Sequence, residues 1–410
     1  MRILISAFAC APHRGSEPGV GWEWPKALAE ISDHEIVVLT NATNRKVIEA
    51  EVASRPLHVG FRYVAVNNPF WRLGSPGHYL YYYLWQLAAL LSLVRNGDWR
   101  RFDLIHHLTY GGIRTGSLLW LLPRQFLLGP VGGGESAPIR LYRSLGLKPV
   151  LKELLRTFSN AASRFDPLLV LMQIRAQRIL ARTQETRRLL LFSGSRVRIS
   201  NDVGAGALLT EPVSRTHDGE PFRLLFAGRL LYWKGLPFLN EALEELEVDG
   251  LPLRMDIIGD GPLLENMLSK ADSSALRNID LRVRSRLPQA ELFELYKQAD
   301  VFVFPSLHDS GGTVVIEALS FGLPIICFDL GGPPLLAGDA GLIVAVRGAG
   351  LKEAGKRLAD AVRTLRDDPE RRRELSCAAF QRAQQLSWHN TVRSAFDGLV
   401  RLSPIADSNG

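Results

Sequence analysis

Apolar positions fall in short unbroken runs along the first half of the chain. "RILISAF" (2–8), "HEIVVLT" (34–40), "FRYVAV" (61–66), "FDLIHHLT" (102–109) and "RQFLLGP" (124–130) each read as a strand, and "WEWPKALAEI" (22–31) as a helix. Apolar runs without strict alternation, separated by helical stretches, are the pattern of strands buried on both faces of a parallel sheet. The polar stretch "LTEPVSRTHDGEPF" (209–222) interrupts the pattern and reads as a linker. Alternation then restarts. "FRLLFAGR" (222–229), "LRMDIIGDG" (253–261), "VFVFPS" (301–306) and "PIICFD" (324–329) are strand-like, while "GLPFLNEALEEL" (235–246), "LPQAELFELYKQA" (287–299) and "GTVVIEALSFG" (312–322) are helical. The fold class expected is α/β, with two domains of βαβ units, 1–205 and 206–385, facing each other across a cleft. A helical segment ends the chain.

Composition leaves this picture intact. A chain of 410 residues is long for one core. It is 46% hydrophobic and 22% charged, ordinary for a globular protein. Cys10, Cys327 and Cys377 are odd in number and widely spaced, with no CxxC pair, which supports neither a disulfide framework nor a zinc site. The opening "MRILISAFACAP" is too short and too strand-like for a signal peptide, so a cytoplasmic location is expected. The stretch 77–94, "GHYLYYYLWQLAALLSLV", carries His78 and Gln86 and falls short of the roughly 20 apolar residues of a membrane span. A core helix or an interfacial segment is the expectation there.

Charge does change the picture. Segment 140–198 holds thirteen basic and three acidic side chains, a net of +10, against +7 for the whole chain. A solvated helical face is the plain reading. An anionic membrane surface or a phosphorylated ligand are the functional ones. Nucleic acid is disfavoured, since no nucleic-acid module accompanies the segment.

Candidate chemistry gathers at strand ends. In the first domain "HRGSEPGVGWEW" (13–24) supplies Gly15, Gly19 and Gly21 between a strand and a helix N-terminus, an arrangement that favours anions. It lacks the Gly-Lys-Ser/Thr of a Walker A loop. "GPVGGGES" (129–136) offers Gly132, Gly133, Gly134 and Glu135, where three consecutive glycines suggest close backbone approach. His106 and His107 end another strand, and alternation lets only one face a cleft. In the second domain Gly228, Arg229 and Lys234 follow the first strand, and the two cations can clamp a diphosphate. Gly259 sits in a Gly-Asp-Gly strand end that is equally a plain tight turn. "HDSGGTVVIEAL" (308–319) then places Asp309 and Ser310 before a helix opened by Gly311, Gly312 and Thr313, whose N–H groups offer a phosphate site. Glu317, a turn and a half in, can accept two hydroxyls such as a ribose pair. The set describes a nucleoside diphosphate bearing another group, with fixed charges stabilising departure of the diphosphate. Neither a Ser-His-Asp constellation nor a metal-ligand cluster appears in the sequence.

These residues resemble the GT-B glycosyltransferases of family 4, the retaining group. "FAGRLLYWKG" is similar to the family's G-R-x4-K-G element, and Asp309 with Glu317 to its E-x7-E motif, with Asp in place of the first Glu. "GSEPGVGW" and "GPVGGGE" resemble the N-domain loops of a bacterial branch linked to exopolysaccharide assembly. "LSWHN" (386–390) resembles the start of a C-terminal helix, here 386–410, that crosses back over the first domain. The resemblance implies two Rossmann-like domains and a UDP- or GDP-sugar substrate with no separate cofactor and no metal. It implies catalytic roles for Arg229, Lys234, Asp309 and His107, and donor contacts from Gly19, Gly21, Gly228, Gly259, Ser310, Gly311, Gly312, Thr313 and Glu317. Gly132, Gly133, Gly134 and Glu135 would lie on the acceptor side. The expected reaction is retaining sugar transfer to a glycan or polyprenyl-linked acceptor in bacterial surface polysaccharide synthesis. The expected location is peripheral, at the inner face of the cytoplasmic membrane, with segment 140–198 meeting anionic lipid. A sugar-nucleotide 2-epimerase on the same fold and a non-catalytic nucleotide-sugar-binding partner are the alternatives.

Overall fold

A computed structural model of the chain describes residues 1–410 apart from 71, 73, 207–220, 274–275 and 404–410, so the expected linker lies almost wholly outside the described residues. The strands are β1 (Arg2–Ser6), β2 (Glu35–Asn41), β3 (Val59–Val64), β4 (Leu104–His107), β5 (Gln125–Val131), β6 (Arg178–Ala181) and β7 (Val197–Ile199), followed by β8 (Phe222–Ala227), β9 (Leu253–Ile258), β10 (Ile279–Arg284), β11 (Val301–Phe304), β12 (Ile325–Phe328) and β13 (Gly341–Val344). They form two sheets, a seven-stranded one in the order β3-β2-β1-β4-β5-β6-β7 and a six-stranded one in the order β10-β9-β8-β11-β12-β13. Every pairing is parallel. Both sheets reverse direction beside their first strand, the doubly wound order of a Rossmann-like domain.

Burial explains which runs became central strands. Ile3, Leu4 and Ile5 of β1 and all of β11 and β12 are buried, and each side chain so placed stabilises the fold by about 1.5–3 kcal/mol. β10, at a sheet edge, instead alternates Ile-Asp-Leu-Arg, with its aspartate and first arginine exposed. In the second sheet the ends of β8 and β9 meet through backbone alone. A Cβ on Gly259, at φ +152°, would stand 1.8 Å from the Gly228 carbonyl oxygen.

Two compact units divide the chain differently from the expected 1–205 and 206–385. One takes Met1–Gly134, Ser159–Gly204 and the stretch from Trp388 onward, and the other takes Glu135–Phe158 and Ala205–Ser387. Residues 135–158, expected in the first domain, therefore pack with the second sheet. Within the first unit Phe396 meets the His106 ring edge-on at 5.4 Å, and His389 pairs with Glu30 at 2.6 Å.

The segment 77–94 lies within the helix Gly74–Arg95, which buries Tyr82, Trp85, Ala89 and Leu93 in the core of the first unit and leaves Leu80, Leu87 and Leu91 exposed. Among the described residues no helix is long and apolar enough to cross a membrane.

The close approach of β8 and β9 carries a stability prediction. Gly259→Ala destabilises the chain by about 3 kcal/mol or more, because the added methyl overlaps a main-chain oxygen that cannot rotate away. Urea denaturation of the full chain measures it, and a midpoint equal to wild type would contradict the backbone contact.

Candidate functional site

In an open parallel sheet the place for a ligand is beyond the carboxyl ends of the strands where strand order reverses. In the second unit that place lies between β8 and β11, and the two loops leaving those strands are fastened to each other. The Leu307 N–H donates to the Trp233 carbonyl at 2.8 Å, and the Ser306 hydroxyl donates to the same oxygen at 3.2 Å. Gly235, at φ +88°, lets its backbone sit against Pro305, where a Cβ would come within 2.0 Å of the proline carbonyl oxygen.

This fastening brings Lys234 to Asp309. The ammonium lies 2.8 Å from Oδ1 and 2.6 Å from Oδ2, and stands over the Phe304 ring at 5.1 Å. Both side chains are about one-fifth exposed. A charge-assisted contact so shielded contributes about 1.5–3 kcal/mol. Sequence reasoning put Lys234 on a diphosphate. Its partner is Asp309, five residues after β11. Arg229 projects exposed from the other end of the same β8 loop, with no ion pair among the described residues.

The loop carrying Asp309 is held from a third side. The Gly332 N–H donates to the Asp309 carbonyl at 2.7 Å, and a Cβ on Gly331 or Gly332 would lie 2.4 Å from the carbonyl oxygen of Asp309 or Ser310. Gly312 is the N-cap of the helix Thr313–Ser320, its carbonyl accepting from Val315 and Ile316 at 2.9 and 3.1 Å. The N–H groups of Thr313 and Val314 are thus those that helix geometry leaves without intrahelical acceptors. Glu317, one turn further, is half-buried, with the Tyr296 hydroxyl 3.2 Å from Oε2. Burial pushes its carboxyl up to about 7, against a smaller lowering by the Tyr296 hydrogen bond. Near neutrality it is split between the protonated and ionised forms.

Sequence reasoning missed a second layer. Glu153, on the helix Leu147–Ser163, is buried, and its Oε1 lies 3.1 Å from the Tyr232 hydroxyl and 3.2 Å from His308 Nε2. Arg156 approaches Oε2 at 3.7 Å. Burial raises this carboxyl, but the hydrogen bond and charge of His308, with Arg156 and Tyr232, outweigh it and hold the group below its ordinary value. The His308 ring also stacks on Trp233 at 5.5 Å. One carboxylate therefore grips the residue before Lys234's neighbour, Trp233, and the residue before Asp309. No signal in the sequence could join Glu153 to His308, since 155 positions separate them.

The first-unit candidates are placed otherwise than expected. His107 is 1% exposed, with Nε2 3.3 Å from the Tyr82 hydroxyl, and burial pushes it down to about 3. The ring, expected to face a cleft as a catalytic residue, is neutral and buried in the first unit. His106 is equally buried, bonded to the Gly129 carbonyl. The glycine loop expected over 13–24 is mostly helix, Ser16–Glu30. Proline at a third helical position and an exposed first turn tolerate this start. Gly19 and Gly21 then have packing reasons, since a Cβ on either would lie 2.0 Å from the carbonyl oxygen of Arg14 or Ala9. Gly134 packs on Thr186 in the same unit, and Glu135 is fully buried, in the other unit from Gly132, Gly133 and Gly134. The motif's working residue is Glu17, which accepts from the Tyr110 N–H at 2.8 Å and pairs with Arg182 at 3.1 Å. Arg182 also pairs with Asp202 at 3.0 Å, so this cluster ties together the segments after β4, β6 and β7.

Residues 210–382 match the family model described as glycosyl transferases group 1. The D-inositol 3-phosphate glycosyltransferase of Corynebacterium aurimucosum is 35% identical over 171 residues, which is 40% of this chain and 39% of that protein. The chain thus matches about two-fifths of that relative's length. Over nearly the whole chain the fold is that of GT-B glycosyltransferases. Anabaena HepE in complex with UDP and glucose superposes with a TM-score of 0.58 at 16% identity, covering 97% of this chain and 99% of that one. WaaG, a glycosyltransferase involved in lipopolysaccharide biosynthesis, superposes with a TM-score of 0.56 at 14% identity, covering 97% and 99%.

Glu153→Leu strands His308 and Tyr232 without their shared acceptor and destabilises the chain by about 3 kcal/mol, whereas Glu153→Gln, which keeps an acceptor, costs about 1 kcal/mol. Chemical denaturation of the two variants beside wild type gives the ranking. A leucine variant as stable as wild type would remove Glu153 from the site.

Proposed function

We propose that the chain is a retaining glycosyltransferase. It moves a sugar from a UDP- or GDP-sugar to a glycan or lipid-linked glycan in bacterial surface polysaccharide synthesis, at the inner face of the cytoplasmic membrane and without a protein-bound metal. The observation that carries this reading is the clustering at one strand-order reversal of a half-shielded Lys234–Asp309 pair, an open helix N-terminus and an acid one turn in. A nucleoside diphosphate presents what each of these recognises: anionic oxygens for Lys234, Arg229 and the N–H groups at 311–313, and ribose hydroxyls for Glu317. The matched family region contains all of these residues, and the neighbour bound to UDP shares the fold.

In this reading the donor's diphosphate competes with Asp309 for Lys234, and Asp309, once released, turns to the sugar hydroxyls. The bond from the anomeric carbon to the diphosphate oxygen breaks as the acceptor oxygen bonds to that carbon on the same face. The acceptor's proton passes to the departing phosphate. Lys234, Arg229 and the helix N-terminus stabilise the charge that gathers there. Asp309, a methylene shorter than glutamate, then holds the sugar closer to the loop.

Lys234→Ala leaves the chain folded and lowers transfer by about a hundredfold or more. Activity near the wild-type level in a radiolabelled-sugar assay would remove the clamp from the mechanism. A thermal-shift screen with UDP-, GDP- and ADP-sugars identifies the donor base, since only a bound ligand raises the melting temperature. Turnover of donor alone to an epimer would support the isomerase instead.

The ionised form of Glu317 is the one that accepts two hydroxyls. Because burial raises this acid to about 7 in the free chain, affinity for the donor sugar nucleotide climbs as pH rises through that value and then levels off. Glu317→Gln weakens binding by about tenfold or more and flattens the profile. Calorimetry across neutral pH distinguishes the two. A profile with the same slope in the glutamine variant would take Glu317 off the ribose.

A further inference from the structure

The helix Leu147–Ser163 is turned inside out. Its buried side chains include Glu153 and Asn160, while Leu147, Leu151, Leu154, Leu155 and Phe158 face solvent. Leu147 is 87% and Phe158 73% exposed. At 100° per residue these five positions fall within about 100° of arc, one continuous apolar stripe on the side opposite Glu153. A helix that turns Glu153 and Asn160 inward and its leucines outward gains nothing from water along that stripe.

The charge beside the stripe states what covers it. Lys148 and Lys152 are exposed along its edge, and Arg140 and Arg143 are exposed on the preceding helix Ile139–Arg143. Glu153 is the one acid between 136 and 158, and it is buried against His308 and Tyr232. Residues 136–158 therefore expose apolar and cationic side chains and no carboxylate of their own. A second copy of the chain docking on the same face would bring the two lysines against their own copies. An apolar stripe edged by lysine instead suits the boundary between anionic headgroups and acyl chains.

We infer that residues 147–158 form an interfacial helix that seats the protein on an anionic lipid bilayer, Leu147, Leu151, Leu154, Leu155 and Phe158 entering the acyl boundary while Lys148 and Lys152 meet the headgroups. The first unit also exposes Leu168, Leu171 and Ile174 on the helix Pro167–Arg175. The inference deepens the reading of a lipid-linked acceptor and rests on it only for its purpose. Through Glu153, the same helix that lies on lipid holds His308, the neighbour of Asp309.

The test is co-sedimentation of the full chain with vesicles of equal parts phosphatidylcholine and phosphatidylglycerol, and with phosphatidylcholine alone, in the absence of donor and acceptor. Wild type binds the anionic vesicles and releases as salt rises. Leu151→Gln combined with Leu155→Gln and Phe158→Gln keeps helix propensity and lowers binding by about tenfold or more. Its melting temperature by circular dichroism stays within a few degrees of wild type, because the three side chains are exposed. Lys148→Gln with Lys152→Gln reduces the salt dependence. Wild type that ignores anionic vesicles, or a triple variant that binds as wild type does, overturns the inference. So does light scattering that shows the triple variant losing self-association while vesicle binding is unchanged, which would give the face to a second copy. Transfer to a soluble acceptor analogue is measured separately, so failure to bind vesicles and failure of the transferase reading are told apart.

Discussion

Lys234 stands where it does because a carboxylate and an aromatic ring bracket it. Asp309 takes the ammonium from one side and Phe304 lies beneath it, both delivered by the loop and strand end of β11. Neither partner would be in reach if the β8 and β11 loops were not bonded backbone to backbone at Trp233 and Leu307, or if Gly235 carried a side chain. An ammonium held this way is poised rather than satisfied: its counter-ion is one-fifth exposed and can be exchanged for another anion. The remaining architecture of the second unit supports that exchange. Glycines 331 and 332 fix the backbone of Asp309 and Ser310 from behind, and Glu153 fixes the flanking residues Tyr232 and His308 through their side chains.

The same locality sets the division of labour between charge and conformation. Close to the β8–β11 reversal, charges are few and individually placed: Lys234 and Asp309 hold each other, and Arg229 has no ion pair among the described residues. In the first unit the corresponding position is occupied by a closed cluster, Glu17 with Arg182, Asp202 and the Tyr110 N–H, in which the charges are spent on one another. A motif with glycines and an acid can thus be a ligand loop or a structural clasp. What separates the two is whether its charges have already found partners within the fold.

Much of the second unit was legible because its chemistry is local. The β8 and β11 runs are unbroken apolar stretches, and Arg229, Lys234, Asp309 and Glu317 follow them within a few residues, so strand-end reasoning put them together. β7, β10 and β13 escaped notice because they are short or alternate with charged residues, as edge positions permit, and β6, an interior strand, because it is only four residues long. The burial of both His106 and His107 was not legible, because alternation says only that one of two neighbours points to a given side, not that either side is open. The start of the first helix at Ser16 was hidden by Gly19 and Gly21, which read as loop residues until their contacts with the carbonyls of Arg14 and Ala9 show why a helix contains them. Glu153 was illegible for a different reason. Its role depends on a helix that leaves the neighbourhood of one sheet to pack beside the other.

That excursion of 135–158 bears on how such a protein can be cut and recombined. The piece that a sequence boundary would excise, from 206 onward, leaves Glu153, Tyr142 and Arg156 behind, and with them the acceptor for Tyr232 and His308. The second unit is therefore not an autonomous module in the linear sense. A chimera that grafts one protein's second half onto another's first half inherits the helix of the wrong parent, and with it a clasp matched to a different loop. Exchange between relatives is expected to succeed when the two segments travel together, with junctions near Gly134, Phe158, Gly204 and Ser387, so that the transferable unit is a discontinuous pair.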